Sequence, residues 1–176
     1  MIYYTGDIHG STLEIVTFCM RFKSTEDDTI VILGDVGANY FGDLRDNKLK
    51  EAFAKLEPTI FCIHGNHEMR PWNIPSYKTK EWNGGTVWYE EKYPNILFAK
   101  DGEIFDIEGT KHLVIGGAYS VDKFYRLSRG YGWWEDEQPS EEIMQYVEQQ
   151  IKEKEFDVIL SHTCPFKYEP IETFLP

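Results

Sequence analysis

The N-terminal half of the chain alternates between short apolar runs and longer segments with apolar residues at helical spacing. The apolar runs predict buried β-strands at residues 1–5, 29–33 and 59–63. Strands that alternate with helices are typical of a mainly parallel sheet covered on both faces. We therefore expect the first three strands to be neighbours in such a sheet.

Two helices are predicted between these strands. The first begins at residues 11–14, which match a capping box, and it places Leu13, Val16 and Met20 on one face. The second is predicted at residues 47–56, where a proline follows shortly after its last turn.

The C-terminal half has a different pattern. Short apolar runs separated by turn residues predict an antiparallel meander with strands at residues 86–89, 96–99, 103–107 and 112–115. Residues 118–139 form a long irregular segment rich in aromatic and charged residues. A helix then begins at Ser140, with Ile143, Val147 and Ile151 at near-helical spacing, and a strand follows at residues 157–160.

These elements together predict an α/β (α+β) fold. It consists of two stacked mixed β-sheets flanked by helices, which is a four-layer sandwich. At 176 residues, and with no repeat or linker, the chain is expected to form a single domain over residues 1–176.

Composition restricts the classes of partner. The formal charge of −12, from 30 acidic and 18 basic residues, argues against a broad surface for duplex nucleic acid. No apolar stretch is long enough to span a bilayer, and the N-terminus has no signal-peptide pattern. Cys19, Cys62 and Cys164 are an odd number and widely spaced, as expected of reduced thiols. We therefore expect a cytoplasmic protein with no membrane partner.

Metal-ligating side chains follow four of the predicted strands. Asp7 and His9 follow the first strand, Asp35 the second, Asn66 the third and His162 the last. The carboxyl ends of parallel strands meet at one edge of a sheet, so these side chains are expected to lie close together. Carboxylate, imidazole and amide groups in one pocket predict a site for divalent cations, which suits chemistry on phosphate esters.

Each of these residues also has a simpler interpretation. Asp7 or Asp35 alone could be a turn former or a helix cap, and Asn66 could be only a turn residue. His162 could be a core imidazole bonded to the backbone. The order of all these residues, directly after strands, favours the metal site over the separate explanations. Gly34 and Gly65, which precede Asp35 and Asn66, indicate a chain that crowds a small site.

Four segments of the chain resemble the motifs of the calcineurin-like metallophosphoesterase superfamily. They are Gly6-Asp7-Ile8-His9-Gly10, Gly34-Asp35, Gly65-Asn66-His67-Glu68 and the strand-terminal His162. The resemblance implies a sandwich of two mixed sheets. It also implies a dinuclear-metal hydrolase that cleaves phosphate monoesters or diesters by attack of a metal-bridging hydroxide.

The resemblance assigns a role to each residue of the candidate site. Five residues would hold two divalent ions: Asp7 and His9 the first, Asn66 and His162 the second, and Asp35 both. The mixed oxygen and nitrogen donors favour Mn, Fe or Zn. His67 would not be a ligand but a proton donor or transition-state stabiliser at the leaving group, and Glu68 would support the site. His64 and His112 match no motif, so packing or surface roles are expected for them.

The sequence departs from the family pattern in two places. A Gly-His-x-His segment, which completes both metal spheres in the family, is absent, so three ligands are left for each metal. We therefore expect a C-terminally shortened chain with an open sheet edge, weak metal binding and impaired activity. The Asp-Arg-Gly triplet of the protein phosphatases is also missing after Asp35. Arg70 or Arg126, with Arg129 as a further candidate, would then bind the phosphate, unless these arginines form exposed salt bridges.

The expected substrate is a phosphate ester, and a nucleotide-like one is among the candidates. The aromatic segment at residues 117–134 could line the site and stack on a nucleobase, or its tryptophans could cover the end of the core. Two alternative functions are considered. One is a nuclease on single-stranded nucleic acid, which the acidic charge disfavours, and the other is a binding or scaffold protein without turnover.

Overall fold

Two β-sheets form the centre of the computed structural model, which describes residues 1–164 and residue 167. The strands are β1 (Ile2–Thr5), β2 (Thr29–Ile32), β3 (Thr59–Cys62), β4 (Tyr77–Trp82), β5 (Gly85–Glu90), β6 (Tyr93–Ala99), β7 (Ile104–Ile107), β8 (Thr110–Ile115) and β9 (Val158–Ser161). A six-stranded sheet has the order β1-β2-β3-β6-β5-β4, and a three-stranded sheet has the order β7-β8-β9.

Both sheets are mixed. In the larger sheet β1, β2, β3 and β6 are parallel, whereas β5 pairs antiparallel with β6, and β4 pairs antiparallel with β5. In the smaller sheet β8 pairs antiparallel with β7 and parallel with β9. The first three strands are therefore parallel neighbours, as the sequence predicts, and their carboxyl ends lie at one edge.

Helices connect the strands. They are α1 (Leu13–Phe22), α2 (Asn47–Phe53), α3 (Lys123–Arg129) and α4 (Glu141–Glu153), with short 3-10 turns at Leu44–Asp46 and Pro71–Asn73. The Ser140 side chain accepts the backbone N–H of Ile143 and caps α4, where the sequence predicts a helix start. None of the helices in the described ranges combines the length and apolar character that crossing a bilayer requires.

One hydrophobic core lies between the two sheets. Phe61 of the larger sheet and Phe105 of the smaller one meet edge to face, with ring centroids 4.9 Å apart. Apolar residues from both sheets form the same cluster, namely Val31, Phe61, Val87, Leu97, Phe105, Ile107, Val114 and Leu160. The prediction of two stacked mixed sheets flanked by helices is confirmed.

The outer face of the larger sheet is covered by α1 and α2, but α1 does not bury the predicted face. Ile15 and Cys19 are buried against the sheet, whereas Leu13 is 69% and Met20 75% exposed. The helix carries apolar residues on more than one face, so periodicity alone does not select the buried one. The predicted capping box is also wrong, because the Ser11 hydroxyl contacts the Glu14 carboxylate at 2.7 Å rather than a backbone N–H.

The C-terminal half differs most from the prediction. The four predicted runs do not form one meander: β5 and β6 belong to the larger sheet, β7 and β8 to the smaller, and β6 runs parallel to β3. The strand β4 was not predicted, because its sequence Tyr-Lys-Thr-Lys-Glu-Trp is mostly polar, as suits a strand at a sheet edge. The helix α3 was also missed; its Phe124 is 77% exposed, so no buried apolar face marks it.

Candidate metal centre

The loops after β1 and β2 are hydrogen-bonded to each other at the carboxyl edge of the larger sheet. The backbone N–H of His9 donates to the Asp35 carbonyl at 2.8 Å, and that of Gly10 donates to the Val36 carbonyl at 3.0 Å. Gly37 allows this approach, because a Cβ there would lie 2.6 Å from the Gly10 nitrogen. The loops therefore place His9 beside Asp35.

The five predicted metal ligands form one continuous series of contacts with Asp35 at its centre. His9 Nε2 lies 2.9 Å from Asp7 Oδ2 and 3.8 Å from Asp35 Oδ2. The same Asp35 oxygen lies 3.5 Å from His162 Nε2. His162 Nε2 in turn lies 3.0 Å from Asn66 Oδ1. The structure thus brings together side chains from the ends of four strands.

Two of the five non-glycine residues with positive φ in the described part of the chain lie at this site. His9 and Asp35 have φ values of 43° and 45°, in the left-handed region that residues other than glycine rarely adopt. Strained backbone of this kind persists where the surrounding structure holds it, often at functional sites.

Two glycines make the crowding possible. A Cβ on Gly34 would lie 2.1 Å from His162 Nδ1, and one on Gly65 would lie 2.0 Å from Asp35 Oδ1. This agrees with the prediction that the chain crowds a small site at Gly34 and Gly65.

The hydrogen bonds of His162 show that the pocket suits a cation. Its Nδ1 lies 2.7 Å from the Leu33 carbonyl, which only accepts, so Nδ1 carries a proton. Its Nε2 faces two further acceptors, Asp35 Oδ2 and Asn66 Oδ1. Burial lowers the pKa of His162, but the hydrogen bond and charge of Asp35 outweigh burial and the net shift is upward. Either a second proton or a metal ion at Nε2 would satisfy these oxygens.

The backbone of His67 is hydrogen-bonded to the Asp35 carboxylate. Its backbone N–H donates to Asp35 Oδ1 at 2.7 Å, and its half-buried ring meets the His9 ring edge to face at 5.4 Å. Burial lowers the pKa of His67, although the charge of Asp35 opposes this shift. Potential ligand atoms of His9, Asp35 and His67 lie within 4.8 Å of one another, so distance alone does not distinguish His67 from a ligand.

Glu68 connects the loops that follow β2 and β3. Its fully buried Oε1 accepts the backbone N–H groups of Gly65 and Val36 at 3.2 and 3.3 Å. Burial, together with the charge of Asp35, raises the pKa of Glu68 to about 7. This arrangement supports the expected role of Glu68 beside the site.

A family match agrees with this geometry. The family described as calcineurin-like phosphoesterase matches residues 1–174 of the sequence. The chain belongs to this family. No curated protein and no solved structure matches the chain. As a calcineurin-like phosphoesterase, the protein belongs to a metal-dependent family that acts on phosphate esters.

In this phosphoesterase, the two arginines predicted to bind phosphate are engaged by internal partners. Arg70 is 1% exposed and pairs with Asp101 at 2.5 Å, and its Nε donates to the Asp136 carbonyl. Arg126 is 3% exposed and donates to Ser120 Oγ at 2.9 Å. The alternative of an exposed salt bridge is therefore wrong for Arg70, whose ion pair is buried. Arg126 is itself buried, but its Nη1 lies 4.0 Å from the partly exposed carboxylate of Asp122. Phosphate binding by Arg70 and Arg126 stays a prediction.

The two histidines outside the motifs are buried. His112 Nε2 lies 2.7 Å from the Tyr4 hydroxyl, which gives this histidine a packing role. His64 is 3% exposed, and burial holds its pKa well below the ordinary value. Its backbone carbonyl accepts the N–H of Gly117, which joins the loops after β3 and β8.

The sequence does not single out Ser120 or Glu137 as neighbours of the site. Ser120 Oγ lies 2.9 Å from Asn66 Nδ2 although the residues are 54 positions apart. Both residues lie in the segment predicted to be irregular, whose length is the only sequence signal for a role near the site.

Proposed function

We propose that this protein hydrolyses phosphate monoesters or diesters with two divalent metal ions, for which Mn, Fe or Zn are the candidates. Asp7 and His9 would hold the first ion, Asn66 and His162 the second, and Asp35 both. The donor set of carboxylate, imidazole and amide groups fits these metals.

The position of Asp35 Oδ2 carries this proposal. This one oxygen lies 3.8 Å from His9 Nε2 and 3.5 Å from His162 Nε2, between the residues proposed for the two ions. Its partner oxygen is already held by the His67 N–H. Asp35 is therefore fixed in a position suited to a bridging ligand.

The two halves of the site differ in exposure, which favours one direction of substrate approach. The Asp7 and His9 side chains are 53% and 54% exposed, whereas those of Asp35 and His162 are 4% and 12% exposed. An ester would therefore enter on the side of Asp7 and His9, and the buried half would stay fixed while it binds.

His67 is proposed to donate a proton to the leaving oxygen. The cations supply Lewis acidity, which polarises the ester and acidifies water in the site. The lowered pKa of His67 makes its protonated form a stronger acid than free imidazolium, so it can assist a departing alkoxide. Its backbone bond to Asp35 keeps the ring close to the proposed metal pair.

The aromatic segment at residues 117–134 supports a nucleotide-like substrate for the proposed hydrolysis. Tyr119 is 57% exposed and adjoins Ser120, which contacts Asn66, so an aromatic ring is available near the site. The tryptophans already have internal partners: the Lys123 ammonium lies 3.6 Å from the Trp133 ring centroid, and Trp134 packs against Tyr40. They favour the packing interpretation.

The test is hydrolysis of an aryl phosphate monoester and diester with added Mn²⁺ or Zn²⁺. We expect metal-dependent turnover that falls at least about tenfold in His67→Ala, because general acid catalysis contributes factors of about 10²–10⁴. His112→Gln is the matched control, since it replaces a histidine outside the site with a side chain that can still bond Tyr4.

The outcomes separate the proposed function from its alternatives. Equal rates for His67→Ala and the wild-type protein would remove His67 from the mechanism. Metal binding without turnover of either ester would favour a binding or scaffold protein. Turnover restricted to single-stranded oligonucleotides would favour a nuclease.

A further inference from the structure

A buried polar network lies behind Asn66, on the side away from His162. It consists of Ser120, which follows β8, Arg126 in α3, and Glu137, which precedes α4. All three residues are nearly inaccessible, with exposures of 1%, 3% and 3%. Buried polar groups are costly unless they are hydrogen-bonded, so the order of donors and acceptors in this network is well defined.

The hydroxyl proton of Ser120 is directed at Glu137. Ser120 Oγ lies 2.5 Å from Glu137 Oε2, and the Ser120 backbone N–H donates to Glu137 Oε1 at 3.1 Å. A carboxylate only accepts hydrogen bonds, and a serine hydroxyl has a single proton to donate. The Ser120 oxygen can therefore only accept from its remaining neighbours.

Those neighbours are a guanidinium group and an amide. Arg126 Nη1, which only donates, lies 2.9 Å from Ser120 Oγ. The Asn66 amide also lies 2.9 Å from Ser120 Oγ and must present its NH₂ group there. Its carbonyl oxygen Oδ1 then faces the opposite way, 3.0 Å from His162 Nε2.

We propose that Ser120 and Glu137 are positioning residues that fix the Asn66 amide with its oxygen toward the metal pocket. An amide NH₂ has no lone pair for a metal ion, so a reversed Asn66 would present no ligand. The role of that oxygen as a ligand rests on the proposed function above, whereas the orientation of the amide does not.

The orientation is tested first without metal. In the chelated wild-type protein, we expect NMR cross-relaxation between the Asn66 side-chain NH₂ protons and the Ser120 Hβ protons. Glu137→Gln keeps the shape of Glu137 but can donate to Ser120 Oγ, which frees the Ser120 proton for Asn66. The cross-peaks should weaken or be lost in Glu137→Gln and persist in Glu135→Gln, which removes an exposed carboxylate from the same loop.

The consequence for the metal site is tested by Mn²⁺ titration. Removal of groups that orient a metal ligand lowers affinity by about 10–100-fold, so Ser120→Ala and Glu137→Gln should weaken one of two Mn²⁺ sites by at least about tenfold. Asn66→Ala should weaken the same site, and Glu135→Gln should leave both unchanged. Ser120→Thr restores a hydroxyl and should recover most of the affinity. Near-UV circular dichroism of each chelated variant checks that it is folded.

The two proposals fail in different ways. A wild-type protein that binds no Mn²⁺ would contradict the proposed function, while the metal-free spectra would still decide the orientation. Wild-type spectra that place the Asn66 NH₂ beside His162 would overturn the positioning role. So would unchanged cross-peaks or unchanged Mn²⁺ affinity in folded Glu137→Gln and Ser120→Ala.

Discussion

Gly34 and Gly65 determine how closely the loops that carry the proposed metal ligands approach each other. A Cβ atom added at either glycine would overlap a proposed ligand. At Gly34 it would overlap the His162 ring, and at Gly65 the Asp35 carboxylate. A side chain at either position would displace a ligand without changing any donor group. The two glycines therefore affect the site only sterically, by leaving room for the ligand side chains.

Gly34→Ala should disrupt the half of the site that contains His162. The added methyl would lie 2.1 Å from His162 Nδ1, so the imidazole must move, and we expect Mn²⁺ affinity at one site to fall by about tenfold or more. Gly109→Ala is the control: its φ of +81° resembles the +98° of Gly34, but no heavy atom lies within 4 Å of the added methyl.

Both variants should lose about 1–2 kcal/mol of stability from the left-handed backbone. Isothermal titration with Mn²⁺ and urea unfolding separate this shared strain from the local clash. Equal Mn²⁺ affinities for the two variants would show that the His162 ring tolerates the methyl.

The motif residues could be predicted from the sequence, but the network behind them could not. Asp7, Asp35 and Asn66 each follow a strand that the apolar pattern reveals, so their convergence follows from the parallel sheet. Ser120 meets Asn66 only through tertiary folding, across 54 positions of sequence. No local pattern encodes such a contact.

Asp101 links elements of the two sheets at the end of the molecule that carries the site. It follows β6, and its Oδ2 pairs with Arg70 in the segment after β3. Its Oδ1 accepts the N–H of Gly116, directly after β8 of the smaller sheet, at 2.7 Å. This buried ion pair therefore connects the larger sheet to the smaller one.

Arg70→Met should destabilise the fold. Removing one partner leaves the Asp101 charge buried, which typically costs about 3–5 kcal/mol. Arg45→Met is the matched control, because Arg45 pairs with Asp43 at the surface, with side chains 63% and 49% exposed. Such an exposed pair contributes little to stability, because solvent screens its charges.

Urea unfolding of the chelated variants measures this difference directly. A loss below about 1 kcal/mol for Arg70→Met would contradict the structural role. A raised KM for the aryl ester without loss of stability would instead support phosphate binding by Arg70.

Elements with a buried apolar pattern were predictable, and those without one were not. Apart from one threonine each, the strands β1, β2 and β3 consist of apolar or aromatic residues, although β1 at the sheet edge is only partly buried. In β4, by contrast, three of six residues are charged and three are exposed. The antiparallel pairing predicted for the meander is confirmed for β5 with β6 and for β7 with β8, but the separation of β6 and β7 into different sheets was not predicted. Turn residues reveal where strands end but not which strands pair. The pairing of β6 with β3 joins segments far apart in sequence, so it depends on tertiary packing.

We expect divalent cations to stabilise the folded protein, whose net charge is −12. Ligands that bind only the folded state raise its stability by about 2.7 kcal/mol at a concentration 100 times Kd. For a chain of this size that increment corresponds to a rise in Tm of about 5–10 °C.

We expect Mn²⁺ to produce such a rise and a chelator to reverse it. Asp35→Asn should show little of the increase, because the proposed bridging charge is lost. Differential scanning calorimetry measures both proteins, and an equal Mn²⁺ response in Asp35→Asn would exclude Asp35 as the shared ligand.

The effect of Mn²⁺ on stability should grow with pH. The folded-state pKa of His162 is raised, so in the chelated protein its proton stabilises the fold fully below the unfolded value of about 6.5. That contribution is lost as pH rises through the folded pKa. A metal ion needs His162 Nε2 unprotonated, so its own contribution increases over the same range. Calorimetry at about pH 5.5 and pH 8 should show the larger Mn²⁺ shift at pH 8, and the reverse order would remove His162 from the metal site.

The hydrogen bond from the His67 backbone to Asp35 Oδ1 bears on how the proposed site would respond to a change of metal ion. An ion of different radius that displaced the Asp35 carboxylate would carry the His67 main chain in the same direction. His67 would thus keep its position relative to the bound ions when one metal replaces another. At the proposed site, the position of His67 relative to a bound ion would then depend on this single 2.7 Å contact.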